Sequence, residues 1–173
     1  DRFGGLSGLL NAQADDLKTI KGLGPAKRAE IAAVLEIARR VLAQQLAEQP
    51  MFEQAQAVKD YLSLQLAALD HEVFAAMFLD ARQRLLRFEV LFRGTLTHTA
   101  VHPREVVKRA LELSATALIL VHNHHSGDRT PSRAHIDIPK LIIDAARPLG
   151  ISIHDHVIVG REGHTSLEGL RLI

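Results

Sequence analysis

Apolar residues recur every three or four positions over the first third of the chain, which is typical of amphipathic helices. Residues 4–46 are therefore predicted to be helical, with one interruption at the run Gly22-Leu23-Gly24-Pro25. Gly24 suits a left-handed helix end, and Pro25 suits the first turn of the next helix. The residues expected to face inward from that second helix are Ile31, Val34, Leu35 and Ala38.

Beyond about residue 58, amphipathic helices alternate with short apolar strands. The predicted helices cover residues 58–69, 103–114 and 132–146, and the predicted strands cover residues 73–79, 85–92, 116–121, 151–159 and 165–167. In the middle helix the inward residues are expected to be Val106, Val107, Ala110 and Leu111. This alternation favours an α/β fold with a mixed sheet.

These patterns divide the chain into two predicted domains. A small all-α domain is expected at residues 1–46, a polar linker at 47–57 and an α/β domain at 58–173.

The composition narrows the possible classes of protein. A chain of 173 residues with 47% hydrophobic residues can bury a substantial core. Its formal charge of +1 gives no overall attraction to nucleic acid or to a membrane surface. No apolar run approaches the roughly 20 residues that a membrane span needs, and no signal peptide is evident. The absence of cysteine excludes disulfides and thiolate metal sites, and it favours the cytoplasm.

Two histidines, His122 and His124, end the predicted strand 116–121. Residues two apart on an extended backbone point the same way, so both imidazoles could reach one metal ion. A catalytic zinc has three protein ligands and one open position, so a third ligand remains to be found. Alternatively, the pair merely caps a strand end with polar groups.

The segment that follows indicates a loop leading into a helix, with Ser132 as its N-cap. His135 lies in the first turn, where the helix dipole favours a neutral imidazole that can bind zinc. Whether His135 ligates or is displaced stays open, and Asp128 and Asp137 are the nearby carboxylates. Asp137 lies about 200° around the helix from His135 and is therefore disfavoured. His125 is expected to be exposed.

The N-terminal run Leu17-x-x-Ile20-x-Gly22-Leu23-Gly24-x-x-x-Arg28 resembles the helix-hairpin-helix motif of DNA-binding proteins. In such a turn, the backbone amides of Gly22 and Gly24 would face a phosphate, with Lys27 and Arg28 adding positive charge. Residues 1–40 hold seven basic and five acidic residues, so any DNA binding is expected to be weak. A helical hairpin used only for packing is the alternative.

The spacing His122-x-His124, seven residues, Ser132, two residues, His135 resembles the JAMM metalloprotease signature. Further motifs narrow the resemblance to the bacterial RadC family: Arg93-Gly94-Thr95, His102-Pro-Arg-Glu105, Ser126-Gly127-Asp128, Pro131-Ser132 and Asp155-His156-Val-Ile-Val-Gly160. The similarity covers nearly the whole chain. Two residues depart from the family pattern, since His125 replaces a proline and His135 replaces the aspartate expected as the third zinc ligand.

The resemblance implies a JAMM/MPN domain of cytidine-deaminase-like fold, preceded by a helix-hairpin-helix domain. It implies a Zn²⁺-dependent peptidase or isopeptidase acting on a peptide or protein. Glu72 matches the family's general base, with Glu89 as the alternative, and Ser132 matches the residue that steadies the oxyanion. The family's DNA-repair association suggests a second hypothesis, a non-catalytic DNA-associated module whose metal site has decayed.

Overall fold

The computed structural model describes residues 14–66, 69, 71–94, 101–124, 133–160 and 163–171. In chain order its helices are α1 (Ala14–Lys18), α2 (Pro25–Glu48), α3 (Ala55–Leu66), α4 (Pro103–Glu112) and α5 (Arg133–Ala146), with 3₁₀ turns at Met51–Glu53 and Arg147–Leu149. Its strands are β1 (Val73–Leu79), β2 (Leu85–Arg93), β3 (Ala117–Asn123), β4 (Ser152–Gly160) and β5 (Gly163–Ser166). Within the described ranges, no helix is long and apolar enough to cross a membrane.

The five strands form one mixed sheet in the order β2-β1-β3-β4-β5. Strands β3 and β4 are parallel, and the other neighbouring pairs are antiparallel. A parallel pair requires a crossover connection, which α5 provides here. All seven residues of β1 are buried, as expected for a strand covered on both faces. The predicted mixed α/β fold is therefore confirmed.

Each face of the sheet packs against different helices. On the first face, Val73, Ala75 and Met77 of β1 join a core cluster with residues of α3. On the second face, the alternate β1 residues Phe74 and Phe78 join a cluster with residues of α4 and α5. The two layers enclose the sheet, so a polar side chain near its centre is shielded from water.

The N-terminal helices differ from the predicted pattern at two places. Gly22 adopts the positive φ of 85°, whereas Gly24 is the extended N-cap of α2 with φ −68° and ψ 172°. The left-handed residue therefore lies two positions earlier than predicted, within the turn itself. On α2, Leu35 is buried as expected. Val34 was expected to face the core, but it is 61% exposed.

The predicted linker, 47–57, contains more regular structure than expected. Helix α2 continues to Glu48, and Met51 begins a 3₁₀ turn. Leu46 and Met51 are both buried in the first-face cluster beside Tyr61 of α3. This segment thus packs on the α/β core, and the division into two domains stays a prediction.

Two further differences from the predicted pattern concern β3 and α4. Strand β3 extends to Asn123 and includes His122, although the predicted strand ends at residue 121. Leu111 of α4 is 53% exposed, while Val106, Val107 and Ala110 are buried as expected. The helix therefore buries a narrower face than its sequence predicts.

Candidate metal centre

Strand β3 places His122 and His124 on the second face of the sheet. His122 lies opposite Phe74 of β1 and is completely buried. The amide of His124 donates a 2.9 Å hydrogen bond to the carbonyl of Val159, which continues the pairing of β3 with β4. The backbone thus stays extended through His124, and both imidazoles project from the same face, as predicted.

Helix α5 brings His135 to the same place. The ring is 3% exposed, and its Nε2 lies 2.8 Å from Nε2 of His124. One ring nitrogen from each of His122, His124 and His135 can be chosen so that all three lie within 4.8 Å of one another. Zinc–nitrogen bonds of about 2.1 Å in a tetrahedral site place the ligand atoms about 3.4 Å apart, so the three rings need only small adjustments.

The surroundings of His122 and His135 favour the neutral form of both imidazoles. Burial lowers the pKa of His122 to about 3, the neighbouring histidines add to this effect, and the Val73 backbone partly opposes it. Burial and the neighbouring His124 lower the pKa of His135 to about 4. Neither ring nitrogen of His122 makes a hydrogen bond of good geometry with any described residue. Buried polar atoms normally have partners, and a neutral imidazole is the form that binds a metal, so the site fits a cation.

Glu72 lies beside this cluster. Its Oε2 is 3.8 Å from Nε2 of His122, and its side chain is only 17% exposed. The family resemblance favoured Glu72 as the general base, with Glu89 as the alternative. The carboxylate of Glu89 instead makes two hydrogen bonds to Arg109 of α4, at 2.6 and 2.7 Å. These bonds lower the pKa of Glu89 and occupy both of its oxygens.

Asn123 lies between the two histidines of β3 and holds the backbone beside Glu72. Its Oδ1 accepts a 2.6 Å hydrogen bond from the amide of Val73, and its Nδ2 donates a 3.0 Å bond to the carbonyl of His71. Asn123 therefore fixes the backbone on both sides of Glu72. In the sequence, a polar residue between the two histidines at the end of an apolar strand is the feature that indicates this role, because a buried amide must find hydrogen-bond partners.

Asp155 and His156 are adjacent on β4, but their side chains contact different parts of the molecule. The carboxylate of Asp155 accepts bonds from the amides of His156 and Glu168 and from the hydroxyl of Ser166, at 2.7, 3.0 and 2.7 Å. Asp155 thus holds residues 166–168 against β4. His156 instead faces α5, where its Nδ1 lies 3.1 Å from the carbonyl oxygen of His135.

A groove of about 690 Å³ also runs along the first face of the sheet. Met51, Phe52 and Ile119 are among the apolar residues that line it, and Asp155 lies at its polar part. The three clustered histidines do not line this groove, so it is separate from the candidate metal centre.

Some predicted site residues lie outside the described residues. These are Ser132, His125 and Asp128. Asp137 is described, and its side chain is 57% exposed and pairs with Arg133 at 3.4 Å. This supports its exclusion as a metal ligand.

The predicted nucleic-acid residues lie around the start of α2. Gly22 and Gly24 form the turn before the helix, and both are exposed. Lys27 is exposed and Arg28 is half-buried in the first turn. The amide of Arg28 donates to the carbonyl of Gly24 at 3.1 Å, so the helical bonding begins there.

Comparison with known proteins decides the family. A family model described as a RadC-like JAB domain matches residues 52–172. The chain belongs to the RadC-like JAB family. The match begins at Phe52, so the family assignment of this RadC-like chain does not depend on the helices before that residue.

Several bacterial relatives of this RadC-like chain share more than half of its residues. A UPF0758 protein of Leptothrix cholodnii is 57% identical over 95% of the chain and 74% of its own length. One from Methylibium petroleiphilum is 59% identical over 93% of the chain and 72% of its own length. A third, from a Polaromonas species, is 51% identical over the whole chain and 77% of its own length. These names state no activity.

Proposed function

We propose that this RadC-like protein is a zinc-dependent hydrolase that cleaves an amide or isopeptide bond in a peptide or protein. The observation that carries the proposal is the convergence of His122, His124 and His135 within 4.8 Å, with Glu72 close to His122. Three histidine nitrogens with a carboxylate beside them match the usual composition of a catalytic zinc site.

Each residue has a proposed role. His122, His124 and His135 would hold the ion, and zinc when bound polarises a carbonyl and lowers the pKa of water to about 7. Glu72 would accept a proton from the attacking water and deliver it to the leaving nitrogen. Ser132 is proposed to donate a hydrogen bond to the developing oxyanion.

His135 replaces the aspartate that the family resemblance led us to expect. The geometry supports ligation, since its ring nitrogen reaches His124 at 2.8 Å and its side chain is buried. We therefore propose a site of three histidines, a ligand set that zinc accepts in other enzymes.

Metal content tests this proposal. Purified protein, dialysed and then measured by elemental analysis, is expected to hold about one zinc per chain. His122→Ala should lose most of the affinity, because two remaining ligands hold zinc poorly. His154→Ala changes an exposed residue of β4; it is the matched control and should keep that affinity. Protein that stays metal-free after zinc is added would overturn the proposal.

Weak DNA binding is a second candidate function, favoured by the turn before α2. Gly22 takes a positive φ of 85° there, and Lys27 is exposed in the helical turn that follows. Backbone amides at a helix N-terminus attract phosphate. We propose that this turn and Arg28 form a helix-hairpin-helix contact with the DNA backbone, and that the contact is independent of the metal centre.

A further inference from the structure

Helix α5 contains a proline at a position that affects His135. In an α-helix, each carbonyl accepts a hydrogen bond from the amide four residues later. The residue four positions after His135 is Pro139, which is buried within α5 and has no amide hydrogen. The carbonyl of His135 therefore cannot receive the bond that the helix would normally supply.

His156 of β4 reaches that carbonyl. Its Nδ1 lies 3.1 Å from the carbonyl oxygen of His135 in a fully buried contact. Because a carbonyl oxygen only accepts, the hydrogen must be on Nδ1, and this fixes the tautomer of a neutral ring. The rings of His156 and His135 also stack, with centroids 6.0 Å apart and planes 27° apart. Phe74 packs against His156 at 6.0 Å.

We propose that His156 is a positioning residue for His135, acting through the carbonyl that Pro139 leaves available. The bond anchors the first turn of α5 to β4, and the anchored turn holds the His135 ring against His124. His156 is not itself a metal ligand in this scheme. Its effect on metal affinity rests on the proposed function, whereas its effect on the position of His135 does not.

Zinc affinity in two variants tests the role in metal binding. His156→Leu removes the donor but keeps an apolar side chain beside Phe74. His156→Asn keeps an amide N–H close to where Nδ1 lies. Removing a residue that orients a metal ligand typically lowers metal affinity about 10- to 100-fold. We therefore expect zinc affinity to fall by this factor in His156→Leu and to stay near normal in His156→Asn.

A structural control separates positioning from general destabilisation. Ile142→Val, in the same helix and fully buried, should lower the melting temperature without changing zinc affinity. Pro139→Ala gives residue 139 an amide that can bond to His135. In that background, His156→Leu should lose less affinity than it does in the native background, because the helix then supplies part of the anchoring.

Nuclear magnetic resonance of the metal-free protein tests the positioning without zinc. Histidine ¹⁵N spectra should show the hydrogen of His156 on Nδ1, and the wild type should show contact between the His124 and His135 rings. That contact should disappear in His156→Leu and persist in His156→Asn.

The two proposals fail in different ways. If the wild type binds no zinc, the proposed function fails, and the ring contact alone decides the role of His156. If His156→Leu keeps both the ring contact and the zinc affinity of the wild type, the positioning role is overturned. Equal losses in the leucine and asparagine variants would also overturn it, since the hydrogen bond would then not be the cause.

Discussion

The Oε2 of Glu72 lies 3.8 Å from Nε2 of His122, at the point where the chain enters β1 beside the end of β3. A general base needs to stand next to the water that it deprotonates, and the metal-bound position is where that water would lie. Glu89, the other carboxylate considered, already makes two hydrogen bonds to Arg109. The two glutamates therefore give opposite expectations when each is changed to glutamine.

Glu72→Gln is expected to abolish hydrolysis while zinc stays bound. The amide keeps the shape of the side chain but cannot accept a proton. Turnover of a library of peptide and isopeptide substrates, together with zinc content, measures both effects. Glu89→Gln is the matched control and should retain turnover, although it weakens the pair with Arg109. Normal turnover in Glu72→Gln would remove Glu72 from the mechanism.

Asn123→Ala is expected to lower stability and turnover together. The change leaves the amide of Val73 without the partner that it has at 2.6 Å. An unsatisfied buried donor costs about 1–3 kcal/mol. Because Asn123 also holds the carbonyl of His71, Glu72 between them should lose its fixed position. Urea unfolding and turnover per folded molecule are the measurements.

The control for Asn123 is its neighbour Val121, which is buried on the same face of β3. Val121→Ala should cost stability through the cavity that it leaves, yet keep turnover per folded molecule. If Asn123→Ala unfolds at the same urea concentration as the wild type, the two hydrogen bonds contribute nothing measurable.

The sequence predicts the sheet well because burial dominates there. Strand β1 has seven consecutive buried apolar residues, and its observed bounds match the prediction. Strand β3 is longer than predicted, because the polar residues His122 and Asn123 end an apolar run yet remain paired with their neighbours. In a sequence, polar residues after an apolar run indicate the end of a strand. Only the structure shows that the backbone of these polar residues is still paired with the neighbouring strand.

Without the family resemblance, the sequence could not choose between the candidate bases for a related reason. Glu72 and Glu89 are both acids near strands. The structure separates them, because Glu72 lies 3.8 Å from His122 whereas Glu89 pairs with Arg109 of α4. The reach of the His135 ring likewise depends on how α5 packs against β4. Periodicity also does not decide exposure, since Val34 of α2 fits the apolar pattern but has no cover among the described residues.

Acid is expected to destabilise the metal-free protein. Burial holds the pKa of His122 and His156 at about 3 and that of His135 at about 4 in the folded chain. In the unfolded chain these groups have a pKa of about 6.5 and take up protons first as the pH falls. The contribution of these neutral rings to the free energy of unfolding is therefore fully present above about pH 6.5. It is lost as the pH falls towards 3 to 4, by up to about 1.4 kcal/mol per pH unit for each proton taken up.

Urea unfolding of metal-free protein at pH 7.5, 6 and 5 measures this loss. His156→Leu removes one of the three buried groups, so its stability should depend less steeply on pH than that of the wild type. A midpoint that stays constant between pH 7.5 and 5 would show that these rings are protonated equally in the folded and unfolded chains.

DNA binding is the prediction that concerns the N-terminal helices. We expect weak binding without sequence preference, with a dissociation constant of about 10⁻⁴ to 10⁻⁶ M at physiological salt. The salt dependence should be shallow, at roughly −0.9 in log–log slope for each phosphate neutralised, because few basic residues are available. Anisotropy of a labelled duplex at several salt concentrations measures both quantities.

Changing Lys27→Glu together with Arg28→Glu should eliminate that binding, since it places two acids beside the amides of the Gly22–Gly24 turn. The control is Arg104→Glu with Lys108→Glu, two exposed residues of α4 whose change alters the net charge equally. Equal losses in both double variants would indicate a general charge effect rather than a contact at the turn. Binding that survives the first double change, or no binding at low salt, would mean that the helical hairpin packs against protein. The candidate metal centre would be unaffected in either case, because its proposed ligands lie at the end of β3 and on α5.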